Sequence, residues 1–457
     1  MGRPNFLLIT VDDMNYNSAE FLRDPAMRME LMPNLCRLMD EGMTCTNSHV
    51  TIGLCQPSRS VLMTGRYPHC NGARGFEDIG RDVVTLTQLL HEHGYLNGII
   101  GKENHISPRE QFAWDMYERT YEDETGYGRD PDYYYQKAQE FLAMAKREKK
   151  PFFLMFNSHD PHRPFAGSED ELKMFGRHIP CSRTFEPGEV RVPGFLPDLP
   201  EIREEFAQYL GSVHRADEAI GRALQALAEA GHEEDTMIFF LSDNGMSMPF
   251  AKANCYLNST KSPYVMKWKG HIPEGVTTEA LLATIDYMPS ILEIAGIPCP
   301  REVDGRSFTH LFGEPSGEQY QDIYTSFYKT AKNQVTKREL QFPMRCVQDK
   351  QYAYIYNGWY GKGTLYRTET MAGKTFSAMQ EAAKTDAHVA ARVEFYQNRV
   401  KEELYDYRKD PDALCNLAGQ PEYAAMLLEK RNKMHEYMKT SKDELLQMFE
   451  EEMEEKK

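Results

Sequence analysis

A chain of 457 residues exceeds what one core holds, since single cores stop growing near ~250–300 residues, and suits a large α/β unit with a smaller companion. With 53 basic and 69 acidic residues the net charge is −16, which argues against nucleic acid as a general partner but leaves room for a local basic pocket that takes an anionic substrate. The nine cysteines are odd in number, scattered and without a C-x-x-C pair, so neither a disulfide framework nor a zinc site is indicated, and no apolar run approaches the ~18 residues of a membrane span. As given, the chain has no signal-peptide pattern and reads as cytoplasmic; a periplasmic or secreted protein with a trimmed signal would look the same, and Met1-Gly2-Arg3 does not decide between them.

Residues 5–11 (Asn-Phe-Leu-Leu-Ile-Thr-Val) are a continuous apolar run, the pattern of a strand buried on both faces of a parallel sheet, and they end in Asp12-Asp13. Ligands of such sheets bind beyond the carboxyl ends of strands, where paired carboxylates invite a cation; a turn-forming aspartate pair is the plain alternative. Residues 33–41 read as a helix stopped by Gly42, and 43–50 as extended. In Cys55-Gln56-Pro57-Ser58-Arg59-Ser60-Val61-Leu62-Met63-Thr64-Gly65-Arg66, Pro57 suits a helix start and Gly65 its stop, which puts Cys55 at a helix N-terminus. There the helix dipole is expected to ease loss of the thiol proton, and Arg59, one turn on, is expected to fork onto a tetrahedral oxyanion. The competing reading is a buried free cysteine beside a solvated arginine.

Further along, 85–93 reads as a helix, and the strand 96–100 runs into Gly101-Lys102-Glu103-Asn104-His105, where Lys102 and His105 are candidate anion ligands. A helix over 130–148 leads to a buried strand over 151–156, followed by His159, His162 and Arg163. Residues 180–200 hold five prolines and read as a long loop of the kind that walls or lids a site. A long helix over 201–230 precedes a strand over 236–241 that ends in Asp243-Asn244-Gly245, with Lys252 in the loop beyond. Residues 264–267 read as a short strand and 277–295 as a helix. A linker over 313–317 divides the chain into a catalytic unit, 1–315, and a C-terminal unit, 316–457. The second unit has alternating, antiparallel-type strands over 323–327, 344–348 and 352–356 and a helix over 421–439. Leu445, Phe449 and Met453 line one face of a final helix that packs on the domain or on a second subunit of a homo-oligomer.

Five strand ends or following loops therefore deliver Asp12 and Asp13, Cys55 and Arg59, Lys102 and His105, His159 and His162, and Asp243, Asn244 and Lys252. Hard oxygen ligands suit Ca²⁺ or Mg²⁺, and the cationic side chains suit a tetrahedral anion, an inventory fit for metal-assisted ester hydrolysis. On these residues the chain resembles the type I sulfatases, whose Cys-x-Pro-x-Arg signature with a following Thr-Gly-Arg is matched at Cys55, Pro57, Arg59, Thr64, Gly65 and Arg66. Within that family, Gly98-Ile99-Ile100-Gly101-Lys102, His159-Asp160-Pro161-His162-Arg163, the spacing from Asp243-Asn244-Gly245 to Lys252-Ala253-Asn254-Cys255-Tyr256, and Pro343-Met344-Arg345-Cys346-Val347-Gln348 are similar to the heparan N-sulfatase (sulfamidase) branch. Two departures stand out: His105 lies one residue further from Lys102 than in a Lys-x-His, and Lys252 replaces an arginine, keeping the charge without the fork.

The resemblance implies an alkaline-phosphatase-like, largely parallel mixed sheet flanked by helices, with a smaller C-terminal α+β domain carrying an antiparallel sheet. It implies conversion of Cys55 to formylglycine by a maturation enzyme, hydration of the aldehyde, and a metal, Ca²⁺ by likeness with Mg²⁺ as the alternative, held by Asp12, Asp13, Asp243, Asn244 and the modified Cys55. One hydroxyl would attack sulfur, with Arg59, Lys102 and Lys252 stabilising the sulfuryl charge, His159 or Lys252 protonating the leaving atom, and His105 deprotonating the second hydroxyl. An unmodified thiol has no hydroxyl with which to expel sulfate. Three function classes follow: a sulfohydrolase on a sulfated saccharide, N-sulfate of glucosamine favoured over O-sulfate; a phosphonate monoester or phosphodiester hydrolase of the same fold; and, if Cys55 stays unconverted, a binding protein. The intact ligand set at every strand end speaks against the last.

Overall fold

The computed structural model describes residues 3–333 and 335–454; Met1-Gly2 and the last three residues of the Glu- and Lys-rich tail lie outside them. The apolar runs become strands β1 (Asn5–Val11), β3 (Leu96–Ile100), β5 (Phe152–Asn157) and β6 (Thr236–Ser242), joined by β2 (Met43–His49), β4 (Met116–Glu118), β7 (Tyr264–Lys267) and β8 (Val276–Ala283). They form one mixed sheet in the order β4-β3-β5-β1-β6-β7-β2-β8. β1 lies near its middle, parallel to β5 (Leu7 opposite Leu154) and to β6 (Leu7 opposite Ile238), and all seven of its residues are buried. Burial on both faces is why these strands read as unbroken apolar runs: Leu7 and Ile9 join a core with Phe141, Leu142, Leu210 and Val213, while Phe6 and Leu8 join another with Leu62, Leu86, Leu90 and Ile291. The covering helices have ordinary local causes. Asp130 caps the helix Pro131–Glu148 through the Asp132 and Tyr133 N–H groups, and Thr85 forms a capping box with Gln88 on the helix Leu86–Glu92.

The helix expected over 277–295 is a correction. Its first half is β8, paired parallel with β2 (Thr44 opposite Thr277, Ser48 opposite Leu282), and only Tyr287–Ala295, after a 3-10 turn at Thr284–Asp286, is α-helical. β-Branched Val276, Thr277 and Thr278 suit a strand, and pairing with β2 overrides the helical preference of Ala280-Leu281-Leu282. Pro289 falls in the first turn of the true helix, where its missing N–H costs nothing.

A second, antiparallel sheet has the order β12-β11-β10-β9, with β9 (Ile323–Lys329), β10 (Gln341–Gln348), β11 (Tyr352–Asn357) and β12 (Glu402–Asp406). Its face is covered by the helices Ala424–Ser441 and Leu446–Glu454, with Met434, Met438 and Leu445 packed beside Tyr354, and Phe449 edge-on to Tyr356. The final helix thus packs on its own chain. The two sheets meet through bridges Ile52 to Ser326 and Leu281 to Tyr320 and a Tyr256 hydroxyl that donates to Glu403 (2.7 Å). A division at residue 315, between β8 and β9, remains our proposal. The loop over 180–200 braces residues 21–23, through Arg191 N–H to Phe21 O and Arg23 N–H to Glu189 O, rather than hydrogen-bonding to any candidate site residue. Among the described residues no helix is long and apolar enough to cross a membrane.

Candidate active site

Because β5, β1 and β6 are neighbours, their carboxyl ends bring residues 157–162, 12–13 and 243–244 to one place, and β3 adds Lys102. Backbone bonds continue past the strands, Asp12 N–H to Asp160 O (3.0 Å) and Asp243 N–H to Val11 O (3.2 Å), so the carboxylates start from fixed positions. Asp13 turns back at φ 68, a left-handed conformation that Asp tolerates better than most side chains. Its carboxylate accepts from Asn244 Nδ2 (2.7 Å) and meets Lys252 Nζ at both oxygens (2.7 and 2.8 Å), while its N–H donates to Asp243 Oδ1 (3.2 Å). Lys102 Nζ lies on Asp12 Oδ2. Burial opposes ionisation of Asp12, but Lys102, His162 and Arg59 hold it well below the usual carboxylate range; burial and the Asp12 charge push Asp243 up.

The helix Cys55–Thr64 begins and ends where the sequence suggests, with Gly65 left-handed at its C-cap and its N–H on Val61 O (2.8 Å). The expected easing of the thiol proton is overturned. Cys55 is only 2% exposed, with Sγ 3.8 Å from Asp13 Oδ1; burial, then the charge of Asp12, pushes the thiol well up, outweighing Lys252 and the helix dipole. Arg59 faces Asp243: Nε donates to Asp243 Oδ2 (2.9 Å), Nη1 donates to Thr10 Oγ1 and Asn157 Oδ1 (2.8 Å each), and Nη2, 2.8 Å from the same Oδ2, is buried without a hydrogen-bond partner. It holds a ligand carboxylate in place. Thr10 and Asn157, unmarked in the sequence reading, complete that support by their own 2.7 Å bond.

His105 is half-buried near Lys102, Asp12 and Arg59; burial and Lys102 keep it neutral, and its Nδ1 has no partner. The Nε2 of His159 is taken by Lys102 N–H (3.3 Å) and Thr120 Oγ1 (3.0 Å), its ring lies against Tyr121, and Gly128 leaves it room, since a Cβ there would sit 2.4 Å from the ring. Burial and Lys102 lower its pKa well, and through Nε2 it fixes the Lys102 turn. His162 stands closer to the acid cluster, Nε2 3.9 Å from Asp13 Oδ2, with its Nδ1 on Arg163 O (2.6 Å). The turn that presents it is anchored by Asp160, which Arg215 grips at both carboxylate oxygens (2.6 and 3.1 Å).

The residue that sequence reasoning missed altogether is Glu369. It opens a short turn between β11 and β12, and its Oε1 lies 2.7 Å from Lys252 Nζ, so Lys252 is clamped between carboxylates of the two halves of the chain. Nothing in an isolated Thr-Glu-Thr announces this. Glu369 and His162 border a cleft of about 1040 Å³ that opens beside the acid cluster.

The cluster fits a hard divalent cation. Asp12, Asp13, Asp243 and Cys55 offer ligand atoms all within 4.8 Å of one another, and Asn244 Oδ1 is buried with no donor, the mark of an acceptor awaiting a cation.

With this geometry in hand, similarity to known proteins can be stated. The family profile described as Sulfatase matches residues 4–297, and that described as N-sulphoglucosamine sulphohydrolase, C-terminal, matches residues 245–366. N-sulphoglucosamine sulphohydrolase of Homo sapiens is 28% identical, over 95% of this chain and 89% of the relative. An ulvan-active sulfatase of Formosa agariphila is 25% identical, over 96% and 81%. A solved structure of a protein in complex with its substrate D-glucosamine-2-N,6-O-disulfate shares the fold, with a TM-score of 0.70 at 19% identity over 97% of this chain and 99% of that one.

Proposed function

This chain belongs to the sulfatase family, a sulfuric ester or sulfamate hydrolase of sulfated sugars, and on that premise we propose that it removes the N-linked sulfate of glucosamine in heparan- or heparin-type saccharides. The observation that carries the finer choice is the second family match, over residues 245–366, because that stretch contains Lys252 and the loop around it, on the side where the cleft opens.

Asp12, Asp13, Asp243 and Asn244 would hold Ca²⁺ or Mg²⁺, whose charge supports the sulfuryl oxygens, and an aldehyde made from Cys55 by a maturation enzyme would supply, once hydrated, an oxygen nucleophile. The remaining work falls to the chain's own side chains. Arg59 keeps Asp243 oriented, and Lys102, steadied by His159, keeps Asp12 charged. Lys252, buried between Asp13 and Glu369, supplies positive charge, and Lys252 or His159 gives a proton to the departing nitrogen or oxygen, while burial keeps the His162 ring beside them from holding charge readily. His105, neutral and with a free Nδ1, accepts a proton from a hydroxyl at position 55. Burial of the whole cluster strengthens each of these interactions relative to water.

The test is sulfate release from a panel of N-, 2-O-, 3-O- and 6-O-sulfated glucosamine and uronate saccharides, using protein whose Cys55 has been checked for conversion by peptide mass spectrometry. Release from the N-sulfated member is expected; release only from O-sulfated members overturns the N-sulfate choice. Full activity with unconverted Cys55 overturns the nucleophile.

A further inference from the structure

The cleft beside the acid cluster is bordered by cations that are already engaged. Arg163 is paired with Glu205, Lys374 Nζ lies 2.6 Å from Glu204 and Lys173 Nζ lies 3.3 Å from Glu169; Lys252, behind the lining, is fully buried between Asp13 and Glu369. Glu205 is itself occupied, taking the N–H groups of Lys374 (3.0 Å) and Thr375 (2.8 Å) at the start of the helix Lys374–Ala382, so that helix end offers nothing to an anion. Glu369 differs. Its Oε1 is buried on Lys252, yet a quarter of its side chain faces the cleft. The turn that carries it is firmly seated: Thr368 caps it through the Thr370 N–H, and the Thr370 and Tyr396 hydroxyls bond at 2.5 Å. The carboxylate is therefore a fixed negative group at the rim, next to where Lys252 and His162 mark the reacting bond.

We infer that Glu369 is a specificity-determining residue: it admits a sugar whose position beside the scissile sulfate carries a neutral hydroxyl and rejects one carrying a second anion there, a further sulfate or a carboxylate. This rests on reading the cleft as a sulfated-sugar site. A fixed carboxylate accepts a hydroxyl hydrogen bond but repels an anion that it meets without an intervening cation, and like-charge contact is a general means of excluding a wrong partner. The overall charge of −16 acts in the same direction at longer range.

The experiment compares kcat/KM for glucosamine N-sulfate and for its 3-O- and 6-O-sulfated forms, with wild type, Glu369→Gln and Glu369→Asp. Wild type is expected to prefer the monosulfated sugar by at least about tenfold over one of the disulfated forms. Glu369→Gln is expected to bring that ratio below about threefold, mostly through KM for the disulfated sugar, and Glu369→Asp to retain most of it. Loosening of Lys252 slows both substrates and cancels in the ratio, which separates selectivity from a purely structural role. In wild type, raising salt from 0.05 to 0.5 M is expected to narrow the ratio, a readout that needs no variant. A ratio indifferent to salt and to Glu369→Gln overturns the inference; failure of wild type to release sulfate from any of these sugars overturns the proposed function instead.

Discussion

Replacing Arg59 by alanine separates its two readings, support for a carboxylate or contact with substrate. The guanidinium is buried, with Nε bonded to Asp243, Nη1 to Thr10 and Asn157, and Nη2 held by charge beside Asp243, so truncation leaves Asp243 facing Asp12 and Asp13 without its counter-charge. Removing one partner of a buried ion pair costs about 3–5 kcal/mol. Unfolding entropy of ~2.1 cal/mol/K per residue gives about 1 kcal/mol/K for 457 residues, so the melting temperature should fall by about 3–5 °C if the chain unfolds as a unit. Scanning calorimetry on protein with unconverted Cys55 in chelator makes the test independent of maturation, and millimolar Ca²⁺ should recover part of the loss by satisfying the same carboxylates. A variant that melts within a degree of wild type in chelator, yet is inactive after conversion, refutes the support role and restores direct action on sulfate.

Three further outcomes are expected. In the native protein at pH 8, iodoacetamide should label exposed Cys299 and Cys415 while Cys55, buried and surrounded by carboxylates, stays unmodified; comparable labelling of Cys55, read by peptide mass spectrometry, contradicts its placement. A divalent cation at about 100 times its Kd should stabilise by ~2.7 kcal/mol, a rise of about 3 °C that Asp243→Asn diminishes; no rise with Ca²⁺ or Mg²⁺ removes the metal site. Asp286 is fully buried, and desolvation raises its pKa to about 6 despite hydrogen bonds from Tyr320 (2.5 Å) and Arg306 N–H (3.0 Å). The native state therefore holds that proton more tightly than the unfolded chain, and this contribution to stability, present below pH ~4, is lost as pH rises through about 6, by roughly 3 kcal/mol. Asp286→Asn should flatten that part of the slope in denaturant titrations from pH 4.5 to 7; an unchanged slope contradicts it.

What the sequence disclosed follows from where the physics is local. Strands buried on both faces must be apolar throughout, so β1, β3, β5 and β6 stand out, and each is followed by polar groups that cannot belong to the core. The Cys55–Thr64 helix carries its start and stop within a dozen residues. What stayed hidden depends on distant pairing. β8 is a strand because β2 is its neighbour, and β12, over Glu402-Glu403-Leu404-Tyr405-Asp406, is buried because Tyr256, Tyr354 and Asn357 satisfy its acids. Glu369 belongs to the site only through a turn seated on Tyr396. The partners of Arg59 and His159 stayed hidden for the same reason: residue type and position indicated a site, but not which of its groups each side chain would meet.

All ten residues of the Cys55–Thr64 helix are buried, and Arg59 reaches its main partner at Asp243, a separation of 184 residues. On a ribosome adding ~5–20 residues per second, about 9–38 s pass between the synthesis of Cys55 and that of Asp243. Until then β6 is missing and the helix has nothing to be buried against on that side. An enzyme that modified Cys55, as we propose, would therefore work against a clock set by strand order: the signature would have to be read as an open segment, because the finished fold closes over it.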